Sequence, residues 1–159
     1  MTELPASAER FRRRALARGL EIEVVVHDVS ARTAEEAALA CGCSVAQIVK
    51  SLVFVGSESE TPLLLLVSGA DRVDEPTVER EVGEGLRRAD GRTVRELTGY
   101  AIGGVPPLGH ETQMQTLMDR SLLDHPVVWA AAGTPHCVFA VAPADLLRAC
   151  EARAAGLTA

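Results

Sequence analysis

The sequence predicts an α/β protein of the α+β kind, with a mixed, largely antiparallel sheet flanked by helices, in one domain spanning residues 1–159. Three observations lead there. The strand-like runs are short and fall in pairs joined by turn residues, which favours hairpins over a doubly wound parallel sheet. Hydrophobic residues make up 47% of the chain and aromatics 3%, so a folded core must be built from Ala, Val and Leu. Finally, no repeat and no linker-like stretch divides the chain.

The elements follow in order. A first helix is expected from about Ser7 to Arg18, stopped by Gly19. "EIEVVVH" reads as a strand. "TAEEAALACG" reads as a helix with Thr33 as N-cap, Glu36 three residues on and Gly42 near its end. "SVAQIVKS" is a short helical turn capped by Ser44, and it feeds the strand "LVFVG". Lys50 therefore sits near a helix-to-strand junction. "PLLLLVSG" pairs with that strand across the turn "SESE". "EPTVEREVG" is a helix with Pro76 in its first turn, and "RTVRELTG" is a shorter one closed by Gly99. "VVWAAAG" and "HCVFAVA" are core strands joined through Gly133 to Pro135. "PADLLRACEAR" closes the chain as a helix with apolar spacing at Leu146, Leu147 and Cys150.

Charge and composition narrow the function. A net charge of -6 argues against a broad nucleic-acid binder. The arginines Arg10, Arg12, Arg13, Arg14 and Arg18, and a second group from Arg80 to Arg95, read as solvated helix faces. The run "LLLLV" is too short to cross a bilayer, and "MTELPASAERFRRRALARGL" has no apolar signal core, so a cytoplasmic location is expected. Without a signal, Cys41, Cys43, Cys137 and Cys150 are read as small apolar residues rather than disulfide partners. "CGC" is too tight for usual zinc spacing, and no metal or cofactor is expected. There is no GxGxxG opening a helix, no P-loop, no HExxH and no GxSxG.

Two features carry chemistry. Lys plus Arg total 16, yet Lys50 is the only lysine, and it lies in the apolar segment "IVKSLVF". Its compact ammonium differs from a guanidinium in width and in the ease with which burial moves its pKa. A lysine snorkelling from a strand edge would satisfy the same pattern. The second feature is a pair of glycine loops. In "AIGGVPPLGH", Gly103 and Gly104 allow close approach to a ligand, while Pro106 and Pro107 stiffen the backbone. "AAAGTPH" repeats the style with Gly133, Thr134 and His136. Such loops can present amides to a carbonyl that becomes an oxyanion, and they can equally be tight turns.

"IVKSLVF", "GYAIGGVPPLGH" and "VWAAAGTPHCVFAVAPADLL", in this order, resemble the YbaK/prolyl-tRNA-synthetase-associated editing domain family, over about Thr33 to Leu147. The resemblance implies that the mixed sheet is partly rolled into a barrel. It implies a free-standing trans-editing deacylase that hydrolyses the ester of a mischarged tRNA, either tRNA(Pro) or another tRNA carrying a small wrong amino acid. It places Lys50, Gly104, Gly133 and His136 in catalysis, and Ser51, Gly103, Pro106, His110 and Thr134 at the substrate. "GTPH" departs from the glycine-richer loop of some relatives. Small residues such as Ala101 and Ala131 would shape the amino-acid pocket. The implied partner is an aminoacylated tRNA acceptor end, with transient contact to a synthetase or elongation factor, and no membrane. The alternative is a non-catalytic module that binds a tRNA end or a related nucleotide.

Overall fold

The computed structural model describes residues 3–159. Helix α1 (Ala6–Ala17) buries Ala8, Phe11 and Ala15, the three- and four-residue spacing of one helix face. Strand β1 (Val25–Val26) is the part of the expected first strand that pairs in a sheet. Helix α2 (Ala34–Cys41) starts where Thr33 Oγ1 accepts from Glu36 N at 3.1 Å and ends at Gly42, whose φ is 69°. The turn from Val45 to Gln47 is a 3-10 helix capped by Ser44, with the Gln47 side chain reaching back to the Ser44 amide.

Strands β2 (Val49–Gly56) and β3 (Pro62–Ser68) form the expected hairpin. Lys50 lies inside β2, as its second residue. Helix α3 (Glu75–Val82), strand β4 (Leu86–Arg88) and helix α4 (Gly91–Thr98) follow. Beyond the Gly/Pro loop come β5 (Gln115–Asp119), β6 (Val128–Ala131) and β7 (Cys137–Val141). Helix α5 (Pro143–Ala149) stops earlier than its apolar spacing suggests, and Arg153–Ala155 forms β8. Strands β4, β5 and β8 are short and lack clear alternation, so the sequence pattern does not announce them. Tertiary pairing makes them: β5 lies parallel to β3, and β8 parallel to β5.

The sheet is mixed and largely antiparallel, as expected. It is not a closed barrel. The strands form one sheet in the order β4-β2-β3-β5-β8 and a second in the order β1-β7-β6. A single bridge, Ile48 with Trp129, joins them. Strands β1 and β8, at the far edges, do not pair with each other, and β4 pairs with β2 only from Phe54 to Gly56, with Ala89 N donating to Val53 O. Between Ile48 and Val53 the outer edge of β2 has no strand partner.

The larger sheet is buried on both faces, which explains the unbroken run "LLLLV". Val49, Val53, Leu64 and Leu66 face the cluster shared with α1, α5 and the smaller sheet. Phe54, Leu63, Leu65 and Val67 face a second cluster with Val78 and Leu157. Asp119, 3% exposed, ties the layers: its carboxylate accepts from Leu157 N at 2.7 Å and from Ser121 Oγ at 2.5 Å.

Candidate functional site

A cleft of about 300 Å³ opens in the seam between the two sheets, at the unpaired edge of β2. Because it lies at an edge, side chains from both faces of β2 reach its lining. Ser51 pairs in register with Leu66 and shares the face of the first cluster, whereas Lys50 pairs with Val67 and emerges on the other face. Both line the cleft. Its walls are small and apolar, with Ala34 and Ala37 from α2, Ala130 and Ala131 from β6, and Val53 from β2. Arg32 and Arg88 add positive charge at the lining, and neither makes an ion pair among the described residues.

The Lys50 ammonium donates to the Asp71 carbonyl at 2.5 Å. Burial lowers its pKa below the usual 10.5, with Asp71 opposing and Arg88 assisting that shift. The Ser51 hydroxyl is buried without a hydrogen-bond partner. A buried hydroxyl left unpaired costs about 1–3 kcal/mol, so a polar group entering here is favoured.

The two glycine loops meet behind this cleft. Gly133 N donates to Gly104 O at 3.0 Å, and Gly104 N donates to Ala101 O at 3.0 Å. A Cβ on Gly104 would lie 2.7 Å from Thr134 Cα. The amides of Gly104 and Gly133 are thus engaged within the loops. Gly103 and Thr134 line the cleft, and their N–H groups donate to no acceptor among the described residues. The glycine pair locks the loops together, and the neighbouring residues face the open space.

The remaining sequence-predicted residues lie elsewhere. His136 is exposed, with Nδ1 3.4 Å from His27 O, and it does not line the cleft. Pro106 is buried, and its carbonyl accepts from His110 Nε2 at 2.7 Å, which makes Nε2 the protonated nitrogen of a neutral ring. His110 belongs to a separate polar pocket with Arg18 and Cys150. Ala101 is exposed and outside the lining, whereas Ala131 lines it. Arg32 and Arg88 join the cleft without a sequence motif of their own, and Trp129 and exposed Ile102, within the quoted motifs, join it without having been singled out. Only the approach of non-consecutive segments brings them together.

Burial pushes the His110 pKa down from 6.5 to about 4. Between these values the unfolded chain binds a proton that the folded protein does not, so stability falls as pH drops through that window. Between pH 6.5 and 4.5, His110→Gln is expected to lose about 2 kcal/mol less stability than wild type. Urea unfolding at the two pH values measures it, and equal losses in both proteins would count against this origin.

Among the described residues, no group of three or more His, Cys, Asp or Glu side chains is placed to hold a metal ion. Burial also raises the Cys41 thiol to about 11 and the Cys150 thiol to about 12, away from thiolate chemistry. No helix among them is long and apolar enough to cross a membrane.

Comparison with known proteins gives a consistent pattern. The model of the aminoacyl-tRNA editing domain matches residues 28–149. The solved structure of a candidate trans-editing enzyme for prolyl-tRNA synthetase superposes with a TM-score of 0.93 at 47% identity, covering 99% of both chains. An uncharacterised protein, YwhH of Bacillus subtilis, is 31% identical over 79% of this chain and 80% of its own length. The proline–tRNA ligase of Limosilactobacillus fermentum is 32% identical over 58% of this chain, a stretch that makes up 17% of that enzyme.

Proposed function

The chain belongs to the aminoacyl-tRNA editing domain family, and on that premise we propose that it is a free-standing deacylase acting in trans on mischarged tRNA. The substrate we infer is tRNA(Pro), or another tRNA, carrying a small wrong amino acid. The single observation that carries this reading is the seam cleft. Alanines, Lys50 and Ser51, whose hydroxyl has no partner among the described residues, line one space of about 300 Å³.

The chemistry follows from these groups. An aminoacyl ester is already activated, so water can be the nucleophile. Lys50 anchors the terminal phosphate or ribose, or offsets the negative charge that develops on the carbonyl. The amides of Gly103 and Thr134 are the available oxyanion donors. Walls that set Ala34, Ala37, Ala130 and Ala131 beside Ile48, Leu52 and Trp129 suit an apolar amino-acid side chain. A second pocket of this kind removes errors that a synthetase cannot reject by size alone.

The test is a panel of mischarged tRNAs incubated with substoichiometric protein. Catalytic release of a small amino acid from tRNA(Pro) supports the reading. Binding without release would leave a non-catalytic tRNA-end module instead. Binding itself should depend only shallowly on salt, because the net charge is -6 and few cations are unpaired beside the cleft. A log–log slope equivalent to about one to three phosphate contacts is expected, at about 0.7 per contact for a single strand. Titration from low to moderate salt measures it, and a slope of many contacts would contradict an acceptor-end footprint.

A further inference from the structure

The family match begins at residue 28, beyond the end of α1. Yet α1 touches both ends of the Gly/Pro loop and Gly133 of the second loop. Arg10 Nη2 donates to Gly99 O at 2.7 Å, and its guanidinium lies 4.6 Å from the centroid of the Tyr100 ring. Arg14 Nη1 donates to Gly109 O at 2.8 Å, while its Nη2 contacts Glu111 Oε1 at 3.0 Å. These two carbonyls are the two ends of the Gly/Pro loop. The second loop rests on the start of the same helix: a Cβ on Gly133 would lie 2.7 Å from Ser7 O and 3.2 Å from Ala8 N. Phe11 and Phe139, with ring centroids 5.1 Å apart, fix the helix against β7.

The arginines of α1 are therefore not a uniform solvated face. Arg12 and Arg13 pair with Glu9, within the helix. Arg10 and Arg14, one turn apart, point at the loop instead. Arginine suits both places. One planar fork can stack on Tyr100 while donating to a carbonyl, and the other can bridge a carbonyl and a carboxylate.

We propose that α1 is a working part of the site, with Arg10 and Arg14 as positioning residues that hold the Gly/Pro loop at both ends and so fix the Gly103 and Thr134 amides against the cleft. This rests on the editing reading for its effect on rate, though the bracing itself does not. Small displacements of aligned groups are costly in rate: about 1 Å can cost about a hundredfold.

The experiment uses the full chain with Arg10→Ala, Arg14→Ala, the double variant and Leu65→Ala, a control buried in the second cluster. Arg10→Lys and Arg14→Lys serve wherever an alanine variant fails to fold. Deacylation kinetics, thermal melts and amide hydrogen exchange are measured together. The expected result is a kcat lowered about ten- to a hundredfold with KM within about twofold of wild type. The amides of Gly104 and Gly133 should exchange about tenfold faster or more, while those of Leu64–Leu66 stay unchanged. Leu65→Ala should keep its kcat at an equal or larger loss of melting temperature.

Two kinetic outcomes overturn the proposal: arginine variants that fold with kcat within twofold of wild type, or a Leu65→Ala control that loses kcat as they do. Unchanged exchange at both loops also overturns it. Should wild type show no deacylation at all, the editing reading fails, and the exchange data alone decide whether α1 braces the loops.

Discussion

Lys50→Ala is expected to lower the single-turnover rate of deacylation roughly a hundredfold or more, and Lys50→Arg to recover little of it. Lys50 lines the cleft from the far face of β2, and its ammonium is held by a 2.5 Å bond to the Asp71 carbonyl. A guanidinium is longer, planar and wider, and cannot take the same place beside Arg88 and Arg72. Losing a preorganised donor to developing charge costs about 2–4 kcal/mol in the transition state. The lowered pKa adds a second signature. On the proposed role, in which the charged form acts, the wild-type rate should fall as pH rises through a value below 10.5, after subtraction of uncatalysed hydrolysis. Lys50→Ala should lack that limb. Single-turnover assays of the three proteins, with melts to confirm folding, give the answer. Near wild-type rates for Lys50→Arg would reduce Lys50 to a surface charge.

Gly133→Val should be the most destabilising of the loop substitutions, at about 2–6 kcal/mol. Gly133 has a φ of 102°, which strains any residue with a Cβ by about 1–3 kcal/mol. The new side chain would also press on Ser7 O at 2.7 Å, where the obstacle is helix backbone rather than a flexible tip. Overpacking of that kind adds about 1–3 kcal/mol. Gly104→Val meets Thr134 backbone atoms at 2.7 to 2.9 Å and should separate the two loops. Gly156→Ala is the reference, since nothing lies within 4 Å of its Cβ, and a change within about 0.5 kcal/mol is expected. Denaturant unfolding of the four proteins measures these costs. A Gly133→Val protein as stable as wild type would show that α1 does not press on this loop.

The helices were legible because their signals are local. Thr33, Gly42, Ser44 and Gly99 act within one turn of themselves, and the structure finds each where its motif predicts. The β2–β3 and β6–β7 hairpins were legible for the same reason. The Gly/Pro loop and the lone Lys50 stood out as compositional exceptions, although not through any visible partner. The cap of α4 at Asp90, which accepts from Thr93 N at 2.8 Å, went unread amid a run of charges.

The sequence by itself determined the helices, the hairpins, the class of sheet and the residues that look out of place. Tertiary structure alone decided how they meet. It placed β5 and β8 in the sheet through parallel pairing, which has no local signature. It left the middle of β2's outer edge uncovered, because its two neighbours there reach only the ends of that strand, and the cleft opens at that edge. It engaged the amides of Gly104 and Gly133 within the loops, through Gly133 N to Gly104 O and Gly104 N to Ala101 O. It sent His110 and His136 away from the cleft and drew Arg10 and Arg14 to a loop far along the chain. The physical reason is common to all of these. Caps and turns close within a few residues, whereas hydrogen bonds between distant segments exist only once packing has brought those segments together.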